Sequence, residues 1–520
     1  MKNHIIPDIN NIIKIIGFCF LSMLVVINIP HFAPQATLAG ILLFFIFITP
    51  AFILLKRKYL KALETSFEKN LDIPTPLIKN IIAANFLKLQ LKTSSEFKII
   101  KTLEIFERLK SPLNENIINE LAKKPNILPY LAKTMASCPE TSEIALNYLD
   151  EEDLKTKAAA IEAFLTYGND NQIDLASVHL KKLLNTDDSS LKIIGINIIG
   201  KTKRTEFLDQ LVTLFDDDDI HVKRTALITA GKCGDDSFYP HILTSIKNNK
   251  LFYAACKAMR YFAPKMSLEN LNEVLQNIPE KQRITFLKNI SASKSENVIL
   301  FLVKTLNQTK FLTKKKIVDC LYDMDFKADD KTSPIIKICL YNSAEHASWL
   351  LSAINDISTN LEIADLKRVL KYEFDLTKEM VFKLLPILLP HTKNLITLAS
   401  DAKLGLPFYS TKELEKALPD EIKLICMPLI EHLSLKEKAL RLKPYFSQTS
   451  VRFEDRLIQI FSADYNKNLE LSRAYALFIA FKMKNHIFFE YFEKAVSDKS
   501  KLVSKTAKWI IVEIASNSTL

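Results

Sequence analysis

The sequence predicts an all-α protein: an N-terminal two-helix transmembrane hairpin followed by an α-solenoid of two-helix repeats. Three observations carry this. Only 8 of 520 residues are glycine, far below the usual share of about 7%, and parallel α/β enzymes need glycine at phosphate loops and tight turns. From Ile15 to Leu55 the chain contains no Asp, Glu, Lys or Arg. Beyond about residue 75, short helical patterns recur at a steady spacing, 31 residues where it is clearest.

Residues 1–55 form the expected hairpin. The break "PHFAPQ", Pro30 to Gln35, divides the charge-free stretch into spans over about 12–30 and 36–55. The second has the length that crosses about 30 Å of hydrocarbon. The first reaches it if Lys14 snorkels to the interface. The connecting loop carries no Lys or Arg, whereas Lys2 and Lys14 precede the first span and Lys56, Arg57, Lys58 and Lys61 follow the second. Positive charge stays on the cytoplasmic side, so both termini and the large domain are expected there, with the chain in a bacterial inner (plasma) membrane.

Residues 56–135 read as a basic juxtamembrane helical segment. The net charge is +11, of which residues 1–55 carry +1 and residues 56–110 carry +6. A nucleic-acid binder concentrates its excess on the main domain. Here it sits beside the bilayer, where each basic residue near an anionic leaflet is worth about 1 kcal/mol. The cluster Lys56, Arg57, Lys58 and Lys61 is therefore expected to meet anionic lipid headgroups, and no nucleic-acid partner is expected.

Repeats follow over 136–345, with degenerate copies and a C-terminal cap over 346–520. Aligning "DDSSLKIIGINIIGKTKRTEFLDQLVTLF" with "DDDDIHVKRTALITAGKCGDDSFYPHILTSI" places Asp188 on Asp219, Leu191 on Val222, Gly195 on Ala226, Ile199 on Ala230 and Gly200 on Gly231. The flanking stretches "EEDLKTKAAAIEAFLTYGNDNQIDLASVHLKKLL" and "NKLFYAACKAMRYFAPKMSLENLNEVL" keep the same order of acid, apolar helix, turn and second helix. Self-similarity of this length, built from two helices, marks a solenoid. The pattern, best in "AGKCGDD" (Ala230 to Asp236), resembles HEAT repeats of the short bacterial kind grouped with phycobilin-lyase repeats. The resemblance implies an armadillo-type fold and transfers no catalytic residue.

The string "GINIIGKT" at 195–202 matches the phosphate-loop pattern G-x-x-x-x-G-K-[ST], and "FDDDD" at 215–219 imitates a magnesium-binding strand. Within the repeat, Gly195 instead occupies a close-packed small-residue position, Gly200 ends the first helix, and Lys201 and Thr202 lie in the turn. "FDDDD" closes the second helix, and its last acids cap the next one. A phosphate loop also needs a preceding buried strand, and β-branched Ile-Asn-Ile-Ile suits no flexible loop.

No other catalytic constellation is found. The seven cysteines are scattered with no C-x-x-C pair, which supports neither disulfides nor zinc. The nine histidines form no metal frame. "STKE" at Ser410 to Glu413 and "SLKE" at Ser434 to Glu437 read as capping boxes. Trp509 reads as the seal of the last repeat. No catalytic residue, metal or cofactor is expected.

The expected function is a membrane-anchored scaffold or adaptor that binds a membrane-associated protein through its solenoid, accessory to an envelope or polysaccharide-synthesis enzyme. Two other readings stay open: a lyase- or glycosylase-like HEAT enzyme, and a protein whose basic helices bind the lipid surface.

Overall fold

Every regular element among the described residues of the computed structural model is helical, and none is a strand. The structure describes residues 87–93, 95–357, 364–396, 408–448, 450–463 and 469–517, with positions 53, 57, 58 and 61 besides. The expected transmembrane hairpin falls outside the described residues apart from Ile53, and so does Lys56. No described helix is long and apolar enough to cross a membrane. Arg57, Lys58 and Lys61 are exposed.

The chain divides into two compact units, Met1–Gln210 and Leu211–Leu520. The first contains α1 (Glu96–Leu109), α2 (Glu115–Leu121), α3 (Leu128–Ser137), α4 (Pro139–Ala145), α5 (Leu154–Tyr167), α6 (Asp170–Leu184) and α7 (Ser189–Thr202). Alternate helices touch: α1 packs on α3, α3 on α5, and α5 on α7. Each is the first helix of a pair, with the intervening helices packed beside it. In α1, Ile99, Leu103 and Phe106 are buried, the i, i+4, i+7 spacing that puts one stripe toward the neighbours.

The second unit continues in the same style with α8 (Ile220–Cys233), α9 (Tyr239–Ile246), α10 (Phe252–Phe262), α11 (Leu268–Asn277), α12 (Glu280–Ser291), α13 (Glu296–Thr305) and α14 (Phe311–Asp323). Then come two long helices, α15 (Ser333–Asp356) and α16 (Ala364–Leu388), which pair with each other along their length. The segment after them holds α17 (Phe408–Ala417), α18 (Asp420–Ile430), α19 (Leu435–Leu442) and α20 (Phe453–Phe461), the last three packed on α15. The chain closes with α21 (Glu470–Lys482), α22 (Phe489–Val496) and α23 (Lys501–Asn517). The first-helix stack runs α8, α10, α12, α14, α16, α21, α23, stepping over the α17–α20 segment. Helices that stack by alternation are the signature of a solenoid.

The 31-residue repeat is visible in the helices. α7 and α8 have equal length, and each begins after an aspartate that caps it: Asp188 accepts from the Ser190 amide at 2.7 Å and Asp219 from the His221 amide at 2.6 Å. Two expectations need correction. Gly200 does not end its helix, and Lys201 and Thr202 are not in a turn. α7 runs through Thr202 and is closed by Lys203 at φ 53°, the counterpart of Gly234 at φ 71° after α8. The aligned pair Gly200 and Gly231 are both buried within their helices. The other correction concerns "STKE". Ser410 is the third residue of α17 rather than the residue before it, whereas Ser434 does form the full capping box with Glu437.

First helices that close in the left-handed region do so with little glycine. Lys110, Lys203, Lys294, Asp325 and Lys484 all have φ between 49° and 57°, and Gly234 is the one glycine to share the conformation among the described residues.

Candidate functional site

The phosphate-loop string takes no phosphate-binding form. Residues 195–202 lie within α7, where interior amides are already donated to carbonyls four residues back. Gly195 is where helices press together: a Cβ there would meet Leu184 Cδ2 at 2.8 Å. Lys201 Nζ lies 2.8 Å from Glu162 Oε2, and Lys133 Nζ reaches Glu162 Oε1 at 2.6 Å. These three charges run across α3, α5 and α7 and border a groove of 520 Å³ that also includes Tyr130, Asp153 and Lys155. Beside them, the Tyr167 hydroxyl donates to Glu107 at 3.2 Å, and burial pushes the Glu107 carboxyl up. Because its central charges satisfy one another, the groove reads as an interhelix ladder. The Lys201 side chain is 60% exposed, and such pairs contribute about 0–1 kcal/mol. Lys201→Ala should therefore leave thermal unfolding close to wild type and create no difference in nucleotide binding. Tight magnesium-dependent ATP binding that this change abolishes would refute the ladder reading.

Sequence reasoning missed the buried ion pairs of the second unit. The Arg456 guanidinium, 2% exposed, donates to Asp356 Oδ2 at 3.0 and 2.6 Å, to Ser352 at 3.0 Å and to Gln459 at 2.7 Å. It also lies 5.8 Å from the Trp349 ring centroid. Glu373, fully buried on α16, accepts from the Leu469 amide at 3.2 Å and from the Ser472 hydroxyl, with His346 Nε2 at 3.0 Å. Both oxygens are thus occupied, which makes Glu373 a clamp between α16 and α21 rather than a free base. Lys438 closes α18 by donating to the carbonyls of Pro428, Leu429 and Glu431 at 3.0, 3.0 and 2.6 Å. Burial pushes its pKa down to about 8.

Four buried thiols are poor nucleophiles. Burial pushes Cys256 up to about 12 and Cys339 to about 11, and raises Cys426 and Cys320 as well. Reactive cysteines need the opposite shift. Among the described residues no three His, Cys, Asp or Glu side chains gather to hold a metal.

One surface feature that resembles a binding site is apolar. Trp509 does not seal the last repeat. Val503, Ala507 and Ile510 do that on the inner face of α23, each fully buried, while Trp509 is 43% exposed. Its ring lies 6.0 Å from Phe478 and 5.5 Å from Phe481 on α21. Between α21 and α23 runs an open groove of 510 Å³, lined by Leu471, Ala474, Tyr475, Phe478 on one side and Leu502, Lys505, Thr506, Trp509 on the other. Each side shows i, i+3, i+4, i+7 spacing. Each member of the second strip also falls 31 residues after its counterpart: 471 to 502, 474 to 505, 475 to 506, 478 to 509. Helix α23 therefore presents Leu502 and Trp509 outward as well as its buried stripe against the stack.

No family model matches the chain, and no curated protein does. Solved structures similar to it include a Kap95:Nup1 complex, at 14% identity and a TM-score of 0.23, covering 85% of this chain and 47% of that one. The UNC-45 chaperone, described as binding and folding muscle myosin, is similar at 12% identity and a TM-score of 0.25, covering 82% and 58%. Kap95p with RanGDP is similar at 14% identity and a TM-score of 0.24, covering 98% and 54%. The chain spans about half the length of these structures. Overlays at such scores fix no shared arrangement, so the solenoid reading rests on this chain's own helices.

Proposed function

We propose that the chain is a membrane-anchored, HEAT-like scaffold that holds a protein partner on its repeats. The observation that carries this is the groove between α21 and α23. Leu471, Leu502 and Trp509 stand 41%, 41% and 43% exposed around it, and contiguous outward apolar patches mark interaction surfaces. The membrane reading rests on the charge-free stretch of residues 15–55 and on Lys56, Arg57, Lys58 and Lys61, which would face the cytoplasm and anionic headgroups. An envelope enzyme in the same bacterial plasma membrane fits that placement as a partner. The non-enzymatic reading rests on the occupied Glu373 carboxylate and on the four raised thiols.

The test places a photo-crosslinking amino acid at Thr506 in the full chain, in native membranes. The expected result is one discrete protein adduct in the membrane fraction, lost when Leu471 and Trp509 are both changed to Ala. A chain recovered in the soluble fraction, or an adduct to lipid alone, would overturn the proposal.

A further inference from the structure

We infer that the α21–α23 groove takes an amphipathic helix with an apolar stripe and acidic flanks; the inference rests on the docking reading above. The shape argues for a helix. Each strip covers two turns, roughly 10 Å along the axis, and offers ridges at the spacing against which another helix packs. An extended peptide gains affinity by pairing main-chain groups with a sheet edge. The amides along α21 and α23 are spent inside their own helices. Ala474, small and only 6% exposed, forms the floor. Tyr475, Phe478 and Trp509 form walls around a space suited to a leucine or phenylalanine side chain.

The charges argue for acid. Lys505 is the one charged residue lining the groove among the described residues. Lys482 lies 5.5 Å from the Phe478 ring centroid, and Lys501 and Lys508 are exposed on α23. Arg473 on α21 is turned away, with its guanidinium on Asp498 and the Phe461 carbonyl. On α22, Lys494 is matched by Glu490. The carboxylates of the two groove helices are Glu470, which starts α21, and Glu513, one turn beyond Trp509. Lysines thus dominate the rim, and a basic helix would be repelled where an acidic one is drawn in.

Fluorescein-labelled 18-residue designed helices test this with the full chain, read by anisotropy. One carries a leucine stripe flanked by glutamates, the other the same stripe flanked by lysines. The acidic peptide should bind at least about tenfold more tightly than the basic one and weaken as salt rises. Trp509→Ala should weaken it by about tenfold or more, as loss of an aromatic anchor does. Lys505→Glu with Lys508→Glu should invert the preference, and far-UV circular dichroism confirms that each variant keeps its helices. Equal binding of both peptides, or no inversion, would overturn the acidic assignment. If the acidic peptide fails to bind while the Thr506 adduct persists, the occupant is wrong and the docking groove stands. If both are absent, the groove is not a docking surface.

Discussion

Replacing Asp356 with alanine should lower the stability of the second unit by about 3–5 kcal/mol, the usual cost of stranding one partner of a buried pair. The Arg456 and Asp356 side chains are 2% and 5% exposed, so water cannot take the lost partner's place. The loss also spreads. The Ser450 hydroxyl donates to Asp356 Oδ1 at 2.6 Å, so the entry to α20 loses an anchor as well. Removing the charge from both sides, Asp356→Ala with Arg456→Met, should recover much of the deficit, because no desolvated charge is then left without its partner. Urea unfolding followed by circular dichroism completes the double-mutant cycle. A single-variant loss below about 1 kcal/mol would show that the guanidinium finds solvent after all.

Gly231→Ala should be unusually costly for the addition of a single methyl. The new Cβ would lie 2.5 Å from Ala258 Cα and 3.0 Å from its carbonyl oxygen. These are backbone atoms of α10, which cannot rotate away. Overpacking of this kind costs about 1–3 kcal/mol, occasionally more. That exceeds the roughly 0.5–1 kcal/mol that alanine gains over glycine within a helix. Gly195→Ala makes the contrast. Its Cβ meets the tip of Leu184 at 2.8 Å, a flexible end that can swing, so the two terms should nearly cancel. Thermal unfolding of the two variants should separate them clearly; equal melting temperatures would mean that α8 and α10 are free to move apart. Ala258→Gly should rescue Gly231→Ala only in part. It removes the methyl that the new side chain would meet at 2.9 Å and leaves the closer clash with the α10 backbone in place.

What the sequence made legible was whatever repeats. Asp188 and Asp219 recur at one spacing and cap equivalent helices, and Gly195 sits where the alignment placed a small residue. Whatever occurs once stayed hidden. Arg456 and Asp356 are a hundred residues apart, and in sequence each looks like part of a solvated face. The length of α15 and α16 was unreadable because the 31-residue rhythm lapses there, and Pro386 lies within α16 where a proline ordinarily suggests an end. The groove was within reach. Applying the same spacing to the C-terminal helices aligns Leu471 with Leu502 and Phe478 with Trp509. That exposes a second pair of apolar positions on each helix, Leu471 and Phe478 facing Leu502 and Trp509, which a search for the core stripe alone passes over.

The lysines that close the first helices have a consequence for how the fold is won. A residue with a side chain held at φ near 50° opposes its own local preference by about 1 kcal/mol, and Lys110, Lys203, Lys294 and Lys484 each do so at the turn between paired helices. Such turns are poor starting points for an autonomous two-helix unit, since the bend must be enforced by the neighbour against which it packs. Cooperativity along the chain is the result. Each repeat borrows its turn from the one beside it, so order spreads between adjacent repeats as in a one-dimensional lattice, with coupling between sites outweighing the preference of any site alone.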